Sequence, residues 1–247
     1  MTEFCIRLAG RTAAVRAMFD STKEFCRDYL CEGVPDFSVF TTAEDISFER
    51  EKSAREDALE GLPVRNYTDR YLETISVQRK IVEELFDYDC LLFHGSVVAV
   101  DGQGYLFTAK SGTGKSTHTR LWREVFGERA VMVNDDKPIL RFTPDGALVY
   151  GTPWNGKHCL GENICVPLKA VCILERGEEN RIRAVTPKEA LLMLVQQSNR
   201  PRDPRRMGTY LDLLDALAKS AAFYRLACNM EHEAAEVAYR AMSRENV

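Results

Sequence analysis

The segment Ala109, Lys110, Ser111, Gly112, Thr113, Gly114, Lys115, Ser116 constrains this chain more than any other. It follows an apolar run at residues 105–108 and precedes a helix-like stretch at 116–126, the strand–loop–helix context that makes a phosphate-binding loop of such a motif. Glycines at 112 and 114 let the backbone turn left-handed, so that successive N–H groups converge on phosphate oxygens, and the helix that follows adds its positive end. Lys115 is placed to bridge the β- and γ-phosphates, and the Ser116 hydroxyl to ligate Mg²⁺. Ala109 stands where the strict pattern has Gly, so the match is to its relaxed form. Ser111, Gly112, Thr113, Gly114, Lys115, Ser116 and Thr117 are therefore expected to hold the phosphates of ATP with Mg²⁺. Such a loop reads phosphates and leaves ATP and GTP undistinguished. The alternative is a Gly-rich turn with a surface lysine.

A strand feeding a helix through such a loop predicts an α/β fold, and the remaining pattern agrees. Apolar runs at 90–93, 97–100 and 105–108 read as strands, the last two joined by a Gly-rich turn at 101–104. Residues 130–133 and 168–174 read as further strands, and 139–142 with 147–150 as a hairpin around Pro144, Asp145 and Gly146. Helices are expected at 116–126, 187–197, 210–219 and 231–242, with a strand at 223–227. Toward the N-terminus, 4–8 and 37–41 read as strands and 15–30 as helical. Residues 43–59 are charged and expected to be partly ordered, and 71–88 reads as a strand running into a helix. The chain is expected to be one kinase-like domain, with 1–89 as an N-terminal α/β extension and 90–247 as the nucleotide-binding core.

Composition narrows the partners. There are 33 Lys and Arg against 37 Asp and Glu, a formal charge of −4, which argues against nucleic acid or an anionic membrane. No apolar run of ~18 residues is present, and Thr2, Glu3 and Phe4 do not open a secretory signal, so a cytoplasmic location is expected. No pair among the eight cysteines has the two-residue spacing of a zinc ribbon or redox site, and reduced core thiols are expected. An oligomer of identical chains is compatible with all of this.

Magnesium nucleotide needs a carboxylate, and Val131, Met132, Val133, Asn134, Asp135, Asp136 puts two acids directly after an apolar strand, about one helix beyond the loop. Two adjacent Asp on an irregular segment can point in different directions, one to the metal and one to an acceptor. The alternative is an ordinary turn or cap use of Asp.

His94, Gly95, Ser96 and the apolar run to Val100, followed by Asp101-Gly102, a strand and the loop 111–116, resemble the HPr kinase/phosphorylase and phosphoenolpyruvate carboxykinase superfamily. A His-Gly pair opens the hairpin before the phosphate loop in HPr kinases, and the Asp135-Asp136 pair is similar to the double aspartate of both branches. The resemblance covers about residues 90–175 and is greatest to short HPr kinase-like proteins, some of which accompany peptide-modification genes. It implies a P-loop-containing mixed sheet flanked by helices. It also implies ATP-dependent phosphorylation of a hydroxyl on a protein or peptide serine or a small molecule, with Asp135 as base, Asp136 as metal ligand, and His94 beside the γ-phosphate or the carboxylates. Protonation of His94 would be favoured by the neighbouring negative charge; otherwise His94 is a structural residue of the sheet. The HPr kinase signature segment beyond the double Asp is absent, which removes HPr as the implied acceptor, and the basic residues of a carboxykinase are too few to imply decarboxylation. The rival readings are a nucleotide-binding regulatory or scaffolding protein without turnover and a carboxykinase-like lyase.

Residues 151–158 form a loop of Gly, Pro and Asn carrying Trp154, Lys157 and His158. Lys157 either neutralises transferred phosphate as a catalytic residue or is solvated, and Trp154 either lines a pocket or packs against the fold. Arg200, Arg202, Arg205 and Arg206 in a Pro-broken loop either grip an anion or form a solvated charged loop. His118 and His232 fall on expected helices and are read as ordinary residues.

Overall fold

The computed structural model describes residues 1–59 and 61–244, which divide into two compact units, Met1–Glu84 and Leu85–Val247. In the first unit β1 (Thr2–Leu8) and β2 (Arg11–Ala17) form an antiparallel hairpin, closed by Ala9 and Gly10 at φ 50° and 73°. Both turn residues are left-handed, the geometry that matches the twist of paired strands. A short helix α1 (Asp20–Phe25) follows, and β3 (Phe37–Phe40) returns parallel to β2. The helical reading of 15–30 holds for 20–25 and for a 3-10 turn at 27–29, and fails for 15–17. Residues 15–17 complete β2, because the Ala9-Gly10 turn starts a hairpin that the apolar spacing alone does not reveal.

Two more expectations change here. Residues 43–59 are fully helical, as α2 (Ala43–Leu59), and 71–85 belongs to one helix, α3 (Asp69–Leu85), with no strand before it. The α2 sequence offers almost no apolar stripe, and charge supplies what apolar packing does not. Arg79 of α3 pairs with Asp45, at 3.0 Å, and with Glu49, while Lys80 reaches Asp45 at 2.6 Å. A further acid organises the unit. Glu73 is completely buried and accepts hydrogen bonds from the Met18 and Phe19 amides and from the Thr22 and Thr41 hydroxyls. Glu73→Ala leaves four donors unpartnered, the Thr22 and Thr41 hydroxyls buried and the Met18 and Phe19 amides half-buried, so it should destabilise the first unit by about 3 kcal/mol or more. Urea unfolding of the full chain, compared with wild type, measures this, and a loss below about 1 kcal/mol would contradict it.

In the second unit β4 (Cys90–Leu92), β5 (Ser96–Val100), β6 (Gln103–Thr108), helix α4 (Lys115–Phe126), β7 (Ala130–Asn134), β8 (Ile139–Thr143) and β9 (Gly146–Tyr150) follow in turn. They precede the long β10 (Cys165–Arg176), β11 (Arg181–Val185), α5 (Pro187–Gln197), α6 (Met207–Ser220), β12 (Ala222–Cys228) and α7 (Glu233–Met242). The nine strands form one mixed sheet in the order β4-β8-β9-β10-β6-β5-β7, with β12 beside β10 and β11 beside β12. The protein is α/β, with a mixed sheet and helices on both faces. β10 serves two neighbourhoods. Its first residues pair antiparallel with β9, and after an irregularity between Leu168 and Ala170 its remainder pairs parallel with β6 and β12.

Alternate residues of the central strands feed two cores. Val97, Ala99, Leu106, Val171 and Ile173 pack with α5 and α6 residues such as Leu194, Tyr210 and Leu214. Val98, Val100, Tyr105, Phe107, Ala170 and Cys172 pack with Leu121 and Trp122 of α4 and Ala235 and Ala238 of α7. Burial on both faces is why these strands read as continuous apolar runs. All eight cysteines are unbridged, but only Cys26, Cys90 and Cys172 are buried; Cys159 and Cys165 are exposed, contrary to the expectation of core thiols. No helix among the described residues is long and apolar enough to cross a membrane.

Candidate functional site

β5 runs antiparallel to both β6 and β7, with Ser96 opposite Phe107 and Val97 opposite Asn134. The start of β5 and the ends of β6 and β7 therefore share one edge of the sheet. That edge carries His94-Gly95, the loop 109–114 and the acid pair, three segments far apart in sequence.

The loop leaves β6 and enters α4 at Lys115 through Gly112 at φ 73° and Gly114 at φ 123°. A Cβ at either glycine would meet no atom within 4 Å, so the requirement is conformational. Only glycine adopts these angles without strain. The Lys115 ammonium folds back to donate to the Ala109 carbonyl at 3.2 Å. Burial lowers its pKa, against the opposing pull of Asp136.

The two acids face different surroundings. Asp135 is 6% exposed and accepts the Gly156 N–H at 2.6 Å. A Cβ on Gly156 would lie 3.1 Å from the other carboxylate oxygen, so only glycine lets the loop 151–158 close this tightly over the acid. Burial raises the Asp135 pKa, as a proton acceptor requires. Burial also pushes Asp136 upward, but the hydrogen bond from His94 and the charges of Lys137 and Lys115 outweigh it, and the net shift is downward. Asp136 is thus biased toward its ionised form.

His94 Nε2 lies 3.2 Å from Asp136 Oδ1. That bond favours the imidazolium, yet burial together with Lys137 and Lys115 prevails, and the His94 pKa is lowered. Burial first, and the two lysines after it, therefore bias His94 toward its neutral form, the reverse of the protonation expected from the acid pair alone. Its backbone N–H donates to the Gln197 carbonyl and its carbonyl accepts from Thr108, which ties it to the sheet edge.

Asn134 fixes how the acids diverge. Fully buried, it accepts the Asp136 and Lys137 amides on its side-chain oxygen at 2.9 and 2.6 Å. Its amide nitrogen donates to the carbonyl and hydroxyl of Thr152, each at 3.1 Å, and the Thr152 hydroxyl donates to the Lys137 carbonyl at 2.8 Å. Asn followed by two Asp is a readable Asx-turn signal, but its partner Thr152 lies eighteen residues on and has no local signature.

Two clefts flank the phosphate loop. One, of about 630 Å³, is lined by the loop glycines, Lys115, Ser116, Thr117, Thr119, Arg120, Arg123, Asp135, Lys157, His158 and Leu160. The other, of about 530 Å³, lies between the loop and the ends of β10 and β12, against His118, Leu174, Arg176, Cys228 and Met230. Arg176 donates to the Gly112 carbonyl at 2.7 Å and braces the loop from that side. His118 is 2% exposed, accepts the Trp122 indole N–H at 3.0 Å, and is pushed down to about 4 by burial.

Of the residues singled out in the sequence, Gly112, Gly114, Lys115, Ser116, Thr117, Asp135 and Lys157 line the first cleft, and Thr113 lines the second. His94 and Asp136 pair behind them, and Ser111 is an exposed loop residue. Trp154 is 3% exposed and packs inside the fold. Arg206 pairs with Asp87 at 2.6 Å and Arg205 with Asp203 at 2.7 Å, and none of the four loop arginines lines either cleft. Sequence reading passed over Arg120 and Arg123, although they follow Ser116 at helical spacing on the same face.

No curated protein matches the chain. Among solved structures it is similar to the HPr(Ser) kinase/phosphatase from Coxiella burnetii, at 12% identity and a TM-score of 0.29, over 50% of this chain and 93% of that one. The model of one family, described as SynChlorMet cassette protein ScmC, matches residues 62–235. That span takes in the strand before the phosphate loop, the loop itself, the acid pair and the loop over Asp135, and it is well over half of the chain, which therefore belongs to the ScmC family.

Proposed function

We propose that this protein is an ATP-dependent kinase that transfers the γ-phosphate to a hydroxyl. The observation that carries the reading is the meeting, in one cleft, of Lys115 and Ser116 from the phosphate loop with Asp135, a carboxyl whose pKa is raised. A site that only binds nucleotide has no need of a buried acid poised to take a proton.

In this reading the amides of 111–117 and Lys115 hold the phosphates, and Asp135 faces the acceptor. As the acceptor oxygen bonds to the γ-phosphorus, its proton passes to Asp135, and the phosphorus–oxygen bond to ADP breaks, leaving the electron pair on the β-phosphate. Lys157 lies across the cleft, where it offsets charge on the transferring group. His94, neutral, donates to Asp136 and orients it.

Among the described residues no group of three or more His, Cys, Asp or Glu is placed to hold a metal. Magnesium in such sites takes one or two protein ligands and completes its shell from phosphates and water. Ser116 and the ionised Asp136 supply a set of that kind, so the residues fit. When bound, the ion would offset the negative charge of the phosphates.

Asp136→Asn should weaken magnesium-dependent ATP binding about tenfold or more, while Asp135→Asn should leave binding near normal and lower transfer by about two orders of magnitude or more. Calorimetry with Mg·ATP reads the first, and transfer of label from γ-labelled ATP into host extract reads the second. Equal binding defects in both variants would undo the division of roles. ADP release that extract does not stimulate would instead favour a nucleotide-binding protein without an acceptor.

A further inference from the structure

Resting on the kinase reading, we infer that the acceptor is anionic: beside the hydroxyl it carries a carboxylate or phosphate, which Arg123, Arg120 and Lys157 bind. The cleft on the Asp135 side is lined by Lys115, Arg120, Arg123, Lys157 and His158, with Asp135 the only acid among its lining residues. Nucleotide phosphates at the loop account for Lys115. They do not account for the arginines. Arg120 and Arg123 lie four and seven residues beyond Ser116 in α4, about 6 and 10 Å further along the helix axis, whereas the phosphates sit off its N-terminal end. The arginines therefore mark a second anion position on the same wall, with Asp135 in the same cleft.

Three details favour a built site over a solvated charged face. The Arg123 Nε is buried and has no hydrogen-bond partner, a desolvated donor that an acceptor oxygen would satisfy. Arg120 is drawn to Glu124 at 2.7 Å, and Glu124 to His232 at 3.0 Å, exposed contacts that limit the guanidinium's freedom without fixing it. Lys157 comes from the opposite wall, on the loop clamped to Asp135 through Gly156. A planar guanidinium recognises carboxylate and phosphate alike, in two-point fashion. The same chemistry fits a free hydroxy acid and a serine beside acidic side chains in a peptide.

The test uses the full chain saturated with the non-transferring magnesium AMP-PNP and titrates inorganic phosphate by calorimetry. One saturable phosphate site is expected, weakened at least tenfold by Arg123→Gln and at least fivefold by Lys157→Gln, each effect exceeding that on AMP-PNP affinity. No saturable binding, binding indifferent to both substitutions, or phosphate displaced by AMP-PNP would overturn the inference, the last by assigning these cations to the nucleotide. If AMP-PNP fails to bind, the kinase reading falls and the acceptor assignment with it. Phosphate binding that still responds to Arg123→Gln would then show an anion site that is not an acceptor site. Displacement of phosphate by glycerate identifies a small hydroxy acid as the acceptor type, and displacement by an Asp-flanked serine peptide identifies a peptide. Displacement by neither rejects the acceptor role.

Discussion

Lys115→Ala should abolish stabilisation of the protein by Mg·ATP while leaving the nucleotide-free fold near its original stability. At an ATP concentration one hundred times Kd, wild type gains about 2.7 kcal/mol, and a hundredfold loss of affinity leaves about 0.4 kcal/mol at the same concentration. The substitution removes the one ammonium that reaches back over the loop, and in return loses only its bond to the Ala109 carbonyl. The loop amides, set by Gly112 and Gly114, persist, so the fold should too. A melting-temperature series with and without Mg·ATP reads both quantities. An undiminished shift in the variant would show that the loop does not hold the β- and γ-phosphates, and the assignment of Ser116 would fail with it.

A comparably large effect is expected from acid at His118. In the unfolded chain its imidazole titrates near 6.5, while burial holds the folded group down to about 4. Below 6.5 the unfolded chain takes up a proton that the folded chain refuses. Stability that is present above pH 6.5 is therefore lost progressively as pH falls toward 4, by about 3 kcal/mol in total. His118→Phe removes the titration and leaves the Trp122 indole N–H without its acceptor, so the variant should be weaker at pH 7 by about 1–2 kcal/mol yet lose less on acidification. Urea unfolding of both proteins between pH 7 and 4 compares the slopes, and parallel curves would mean that His118 takes up its proton without unfolding.

The parts of the fold that the sequence made legible are those buried on both faces. β5, β6 and α5 stand almost where apolar runs and helical period place them. The first unit was harder to read because its order comes from long-range polar contacts. Glu73 gathers four donors from three segments, and Arg79 organises α2 from another helix. Periodicity carries no trace of either. The strand β11, with mostly exposed residues in Arg181–Val185, also escaped, since an edge strand needs no apolar alternation. Within the site, the phosphate loop and acid pair were legible because their chemistry is local in sequence. Lys157 was left between a site role and solvation, because what brings its loop to Asp135, a glycine approaching a carboxylate twenty-one residues away, has no local signature.

Asn134 gives the acid pair an asymmetry that its composition lacks. Asp135 and Asp136 are identical side chains on neighbouring residues, yet one is driven toward its protonated form and the other away from it. The difference originates one residue earlier, in a carboxamide that captures the Asp136 and Lys137 amides on one end and Thr152 on the other. Position in the turn, not identity of the acid, separates the carboxylate that meets Gly156 from the one that meets His94. Because the same carboxamide anchors the start of the loop 151–158, the two walls of the cleft share one point of attachment. The backbone that carries the acids and the backbone that closes over Asp135 are thereby tied at one buried side chain.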